Sequence, residues 1–276
     1  MSRTFLALPL AALLVSTPGA SVVELTAVEQ TRGSSSDQDW CRDAGRSNDR
    51  DTFCEVRDLR ESGASRLEVV DNSTGSISVT GSSGRGIVVQ ARVVASAESD
   101  ADARALVKDV SVTLEGGRLR TTGPTNQRRQ SWWVSYRIDV PASFDLSLET
   151  SNGSVSVTGV NGRIDAETSN GSLRMTDIGG RVNARTDNGS VHVTLNGRRW
   201  EGDGLSVTTS NGSARLDLPD SYNARLIAGT NNGSMTLDVP VTVQGRISKN
   251  IDTTLGSGGA TIEVRTSNGS LRVGRR

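Results

Sequence analysis

The chain is short of the residues from which most active sites are built. Of its 276 residues only 3% are aromatic, two are cysteine and one is histidine. One histidine excludes a multi-histidine metal centre, and any serine or cysteine triad would have to use that single base. His192 stands between Val191 and Val193, which places it on the polar face of a strand, so it reads as a solvated side chain. Net charge is absent too: Lys and Arg total 31, as do Asp and Glu. That balance leaves no electrostatic footprint for nucleic acid. No phosphate-cradling glycine loop leads into a helix, and the Asp residues near glycine do not follow the calcium-coil pattern, so no cofactor or metal is implied. The one long apolar run covers residues 5–15, after Arg3 and before small residues at 16–21. It reads as a secretory signal over residues 1–20 and is too short to span a membrane as a helix. No cysteine follows it for lipid attachment, and no second apolar segment appears. The expectation is an exported chain, periplasmic or extracellular, with no transmembrane segment in its mature form.

What is present is glycine, 30 residues of it, and one recurring phrase. Thr-x-Asn-Gly-Ser returns six times, at Asn152-Gly153, Asn170-Gly171, Asn188-Gly189, Asn211-Gly212, Asn232-Gly233 and Asn268-Gly269. The glycines are 18, 18, 23, 21 and 36 residues apart, the last step being twice the first, and a looser copy lies at residues 71–76. Self-similarity on this scale marks stacked repeats. Seven residues before each glycine stand Leu146, Ile164, Val182, Leu205, Leu226 and Ile262; two after it stand Val155, Leu173, Val191, Ala214, Met235 and Leu271. Each copy therefore holds two short period-2 strands around a turn, with Asn-Gly expected to supply positive backbone torsions.

Two folds use such a unit. An antiparallel meander or sandwich follows if each Asn-Gly closes a hairpin. A β-solenoid follows if each copy is one coil and equivalent residues stack. Only stacking explains identical residues in one column, Thr150 with Thr168 and Thr186, Asn152 with Asn170 and Asn188. Ladders of Thr hydroxyls and Asn amides are expected to bond copy to copy. An all-β solenoid of ~18-residue repeats is therefore the predicted fold. The turn is missing near residue 251, where Asn250 has no following glycine, so one coil is expected to be distorted.

Along the chain, residues 21–39 read as a flexible leader and 40–273 as one β-repeat domain. Within it, 40–60 hold a disulfide loop, 61–142 an irregular capping section and 143–273 the regular repeats. Ser99-x-x-Asp102 has the form of a capping box opening the one convincing helix, to about Lys108. Cys41 and Cys54, 13 apart, read most simply as a disulfide in an exported chain; a metal or redox pair is the alternative, with unsuitable spacing.

No catalytic constellation emerges. Glu149, Asp165 and Glu167 lie on outward strand positions and are the acids a polysaccharide lyase or hydrolase would use, although their columns change sign toward Asn183 and Arg185. Arg163 and Arg181, with Arg199 as a third member, form a basic stripe suited to an anionic polymer, unless the side chains simply splay into water beside acidic neighbours. Trp133, outward on the run that holds Trp132 inward, and Trp200 in the long turn at 196–204 could stack on a sugar.

The repeated Thr-(Ser/Asp/Asn)-Asn-Gly-Ser turns, the loop Trp200-Glu201-Gly202-Asp203-Gly204-Leu205, Cys54-Glu55-Val56-Arg57 and Leu255-Gly256-Ser257-Gly258-Gly259-Ala260 resemble a bacterial family of exported β-strand-repeat proteins, the putative adhesins of unknown function. The resemblance covers about residues 40–273 and implies a β-helix-like fold and an envelope or extracellular role; it brings no catalytic residues. The expected function is a non-catalytic adhesin-like scaffold binding a cell-surface polysaccharide or envelope protein through a long polar β face. A polysaccharide lyase or hydrolase is the alternative, and an ice-binding Thr array a third reading, opposed by the inward parity of the Thr column.

Overall fold

The computed structural model describes residues 35–42, 50–70, 74–239 and 249–276, and of residues 35–38 the backbone alone. The expected signal, Asn72 of the looser repeat, and residues 43–49 of the loop between the cysteines lie outside the described residues. The first elements are α1 (Ser35–Arg42), β1 (Asp51–Ser62), β2 (Arg66–Val70), β3 (Ile77–Ser82) and β4 (Gly86–Ala97). Then come α2 (Asp100–Asp109), β5 (Ser111–Glu115), β6 (Arg118–Thr122) and β7 (Ser131–Pro141). The repeats begin with β8 (Asp145–Asn152), β9 (Val155–Thr158), β10 (Asn161–Asn170), β11 (Leu173–Thr176), β12 (Gly179–Asn188) and β13 (Val191–Thr194). They continue with β14 (Gly204–Asn211), β15 (Ala214–Leu218), β16 (Ala224–Asn232) and β17 (Met235–Leu237). The chain closes with β18 (Asn250–Leu255), β19 (Thr261–Asn268) and β20 (Leu271–Arg275).

These strands form two ten-stranded sheets. The first runs β1-β4-β7-β3-β9-β11-β13-β15-β20-β17 and the second β18-β16-β19-β14-β12-β10-β8-β2-β6-β5. Each repeat contributes one strand to each sheet, and equivalent strands pair in parallel with residues in the predicted columns. Ile164 lies opposite Leu146 and Val182, Thr168 opposite Thr150 and Thr186. The fold is a β-solenoid, and the hairpin alternative is excluded because every Asn-Gly turn joins two different sheets. Inward positions of both sheets, among them Leu148, Val157, Ile164, Leu173, Met175 and Leu216, are at most 1% exposed. Burying each such side chain stabilises the fold by roughly 1.5–3 kcal/mol.

The glycine of each turn is required for a reason other than the expected one. None of the six has a positive φ; those torsions fall at the opposite edge, at Gly159 (69°), Asp177 (54°) and Gly180 (93°). What demands glycine is proximity. A Cβ on Gly171 would lie 2.0 Å from the carbonyl oxygen of Gly153, one on Gly189 2.0 Å from that of Gly171, and one on Gly212 2.1 Å from that of Gly189. The threonine column differs from expectation in a related way. Its hydroxyls do not bond to one another but donate to those glycine carbonyls: Thr168 to Gly153 and Thr186 to Gly171, both at 2.8 Å. The asparagine column does form a ladder, each amide donating to the next side-chain oxygen at 2.9–3.2 Å from Asn232 through Asn268, Asn211, Asn188 and Asn170 to Asn152.

Coil order departs from chain order at the end. The coil of Gly269 sits between those of Gly212 and Gly233, because β19 pairs with both β14 and β16. No coil forms around Asn250; β18 instead runs antiparallel to β16 along the sheet edge. Without a glycine the chain cannot approach a neighbouring coil closely, and an antiparallel edge strand makes no such demand. At the other end the looser copy is a true coil: Gly75 stacks on Gly153, and Thr150 donates to the Gly75 carbonyl at 3.0 Å.

Beyond that coil the capping section adds β7 and β6 in parallel to β3 and β2, then extends both sheets by the antiparallel strands β4, β1 and β5, and α2 packs against β1 and β4. Ser99 caps α2 as predicted, its hydroxyl accepting from the Asp102 amide. Arg57 closes the other helix end by donating to the carbonyls of Val107 (2.8 Å) and Val110 (2.5 Å). Thr121 and Tyr136 join the two sheets through their hydroxyls, and burial pushes the Tyr136 hydroxyl up to about 12. α1 is a second helix where the sequence suggested leader up to residue 39. Its Cys41 is disulfide-bonded to Cys54, with Cα atoms 5.7 Å apart, and its Trp40 lies against the guanidinium groups of Arg92 and Arg137.

Two substitutions separate the glycine and threonine contributions. Gly171→Ala forces a methyl into a carbonyl and is expected to destabilise the array by about 3 kcal/mol or more. Thr186→Val keeps shape but leaves the Gly171 carbonyl short of a donor, at a cost of about 1 kcal/mol. Urea unfolding of the two variants checks the order of effects.

Candidate functional site

With one face of every strand buried, surface chemistry is confined to the outward columns and the two edges. The second sheet carries the charged residues singled out in the sequence. Arg163 is directly opposite Arg181, Glu167 lies between Glu149 and Arg185, and Asp165 is beside Asn183. The basic column does not extend to Arg199: the next rung is Gly204, and Arg199 bridges to Asn223 on the other edge. Asp145, on the rung before Arg163, uses its carboxylate to accept the Arg163 backbone N–H at 2.8 Å. Alternating signs continue along this sheet, as Arg225 with Asp252 at 2.6 Å and Arg265 with Glu263 at 2.5 Å.

The two tryptophans differ in exposure. Trp200 is 5% exposed and donates its indole N–H to the Gly180 carbonyl at 2.9 Å, so the long turn folds it into the core as a plug against Val160, Ile178 and Leu195 along the edge. Its apolar area outweighs the polarity of the loop around it. Trp133 is half-buried on β7 opposite Val94. The six Asn-Gly pairs stand at the turns between the two sheets.

The histidine, read as solvated, sits in the most connected polar cluster of the first sheet. His192 is one rung from Arg174 and one from Arg215. Its Nε2 meets the Asp217 carboxylate at 2.8 Å, and its Nδ1 meets an Arg174 guanidinium nitrogen at 3.2 Å. A guanidinium can only donate, so in this arrangement Nδ1 is the acceptor from Arg174. Asp217, only 6% exposed, also receives Arg215 Nε at 2.8 and 2.9 Å on its two oxygens. Burial pushes its carboxyl up, but the bonds and charges of Arg215 and His192 outweigh that and hold it below its ordinary 3.8. The sequence signal for this cluster was the column three residues after the repeat glycine, where Arg174, His192, Arg215 and Arg272 share one position. Among the described residues no group of three or more His, Cys, Asp and Glu is placed to hold a metal ion, and no helix is long and apolar enough to cross a membrane.

A two-sheet solenoid with glycine-carbonyl packing and a helical cap defines the class. The Toastrack DUF4097 family profile matches residues 63–274, and the chain belongs to that family. Solved structures similar to it include a putative cell adhesion protein from Clostridium sporogenes ATCC 15579, at 11% identity and a TM-score of 0.44, covering 82% of this chain and 100% of that one. A putative adhesin from Bacteroides fragilis NCTC 9343 has 11% identity and a TM-score of 0.38, covering 81% and 97%. A putative lipid binding protein from Parabacteroides distasonis ATCC 8503 has 10% identity and a TM-score of 0.29, covering 79% and 96%. No curated protein matches the chain.

Because the Asp217 pKa is lower folded than unfolded, its stabilisation is complete above 3.8 and is lost as pH falls through the lowered value. Asp217→Asn should therefore cost about 2 kcal/mol at neutral pH and leave a shallower decline of stability below about pH 4, which acid titration followed by circular dichroism measures.

Proposed function

We propose that the protein is an exported, non-catalytic scaffold of adhesin type, which holds a cell-surface polysaccharide or envelope protein along a long polar β face. One observation carries the reading. On the first sheet, three outward columns cross seven successive rungs from β3 to β17 in register, and the serine column just after the turn glycines offers the same weak contact at each step. Regularly spaced weak contacts add through multivalency and need no pocket. The Cys41–Cys54 disulfide supports an oxidising compartment. In this reading residues 1–20 are a cleaved signal, the disulfide-tied section through residue 142 caps the stack, and the repeats present the surface.

The test is retention of the purified protein on arrays of cell-wall, exopolysaccharide and host glycans, with capture of envelope proteins in parallel. Retention on at least one class is expected, and none on any would overturn the proposal. New reducing ends or unsaturated sugars released on incubation, and lost in Glu149→Gln or Glu167→Gln, would replace it with a polysaccharide lyase or hydrolase.

A further inference from the structure

The two outward faces differ in charge. On the second sheet acidic and basic side chains are mixed: Arg225 pairs with Asp252 and Arg118 with Glu68, while Arg163 lies opposite Arg181 and Glu149 opposite Glu167. On the first sheet, outward positions from β3 to β17 are mostly serine and threonine, as at Ser156 and Thr158 on β9 and Ser154 just before it. That hydroxyl plane is interrupted on four successive rungs by Arg174, His192, Arg215 and Arg272. Only two carboxylates stand on these columns, and both are engaged: Asp217 by Arg215 and His192, and Asp238 by Arg272 at 2.7 Å. Arg174 is opposite no acid; its rung neighbours are Ser156 and His192. Like charges one rung apart, about 4.8 Å, repel one another. The stripe therefore carries an excess of positive potential, which an anion laid along it would neutralise.

We propose that this stripe is the binding track of an anionic polysaccharide, whose acidic groups meet Arg174, Arg215 and Arg272 while its hydroxyls meet the serine and threonine columns on either side. The inference rests on the polymer-binding reading above and adds to it the face used and the charge of the ligand. Arginine suits the task because its planar fork matches carboxylate and other oxyanions two-point, and Arg215 holds Asp217 through Nε alone. His192 stands within the track, facing Arg174 from β11, Arg215 and Asp217 from β15, and Thr194 on its own strand.

The experiment measures retention of the whole protein on immobilised polygalacturonate, on heparin and on neutral dextran, with salt elution. Retention on a polyanion and not on dextran is expected, the two polyanion columns telling carboxylate from sulfate preference. Arg174→Gln with Arg272→Gln should weaken it about tenfold with the circular dichroism spectrum unchanged. Arg163→Gln with Arg181→Gln, the same charge loss on the opposite sheet, should leave it unaltered. Equal retention on dextran, an unaltered affinity in the Arg174/Arg272 variant, or a larger loss in the Arg163/Arg181 variant would overturn the track. Capture of neutral glycans or an envelope protein alone would sink the track and leave the scaffold reading standing, whereas no retention of any kind would sink both.

Discussion

The approach of one coil's glycine to the carbonyl of the next is the contact on which this structure depends. At each repeat turn the absent Cβ leaves room for a neighbouring carbonyl oxygen at about the distance a carbon would occupy, 2.0–2.2 Å from its ideal position. That carbonyl is then within reach of the threonine hydroxyl three residues before the glycine, as in Thr209 to Gly189 and Thr266 to Gly212, at 2.8 and 2.7 Å. A buried polar group at a turn would otherwise be costly. Thr-x-Asn-Gly-Ser is thus one device with separable parts: glycine permits the approach, threonine satisfies the carbonyl it buries, and asparagine links the exposed rim into a ladder.

The same contact explains where the array stops. A stack of parallel coils exposes unpaired strand edges at both ends, and such edges invite association. One end is covered by antiparallel strands and α2, locked by Arg57 on the helix carbonyls. At the other, the chain gives up the glycine, lays β18 antiparallel along β16, and then returns to insert its final coil inside the stack. The 36-residue step between Gly233 and Gly269 is therefore no skipped coil but the length of this detour.

Much of the architecture was legible because period-18 columns leave identical residues in line, and only stacking places Thr168 against Thr150 and Thr186. Coil order at the end was not, since Leu226 and Ile262 suit the same column equally and nothing local says which lies nearer Leu205. The reason for glycine was misread because Asn-Gly usually signals a left-handed torsion, whereas close approach between coils has no signature within a single copy. Trp200 was misplaced because the polarity of its loop hides the fact that its ring turns into the core and bonds the Gly180 carbonyl. His192 looked isolated because its partners Arg174 and Asp217 are 18 and 25 residues away and meet only through the stack.

Stacking also divides the sequence into positions that the fold constrains and positions that it leaves open. Inward columns must stay apolar and small enough for two thin sheets, which is why alanine recurs at Ala166, Ala184 and Ala228. Outward columns meet only their neighbours above and below, so their identity is free to vary without disturbing the core. In this chain the column three residues after the glycine changes from Ser156 to Arg174, His192, Arg215 and Arg272 while the flanking valines, leucines and alanine remain buried. A column that gathers arginines on three of four adjacent rungs needs a source of compensation, and within the chain Asp217 and Asp238 supply only part of it. The remainder is available to whatever lies on that face.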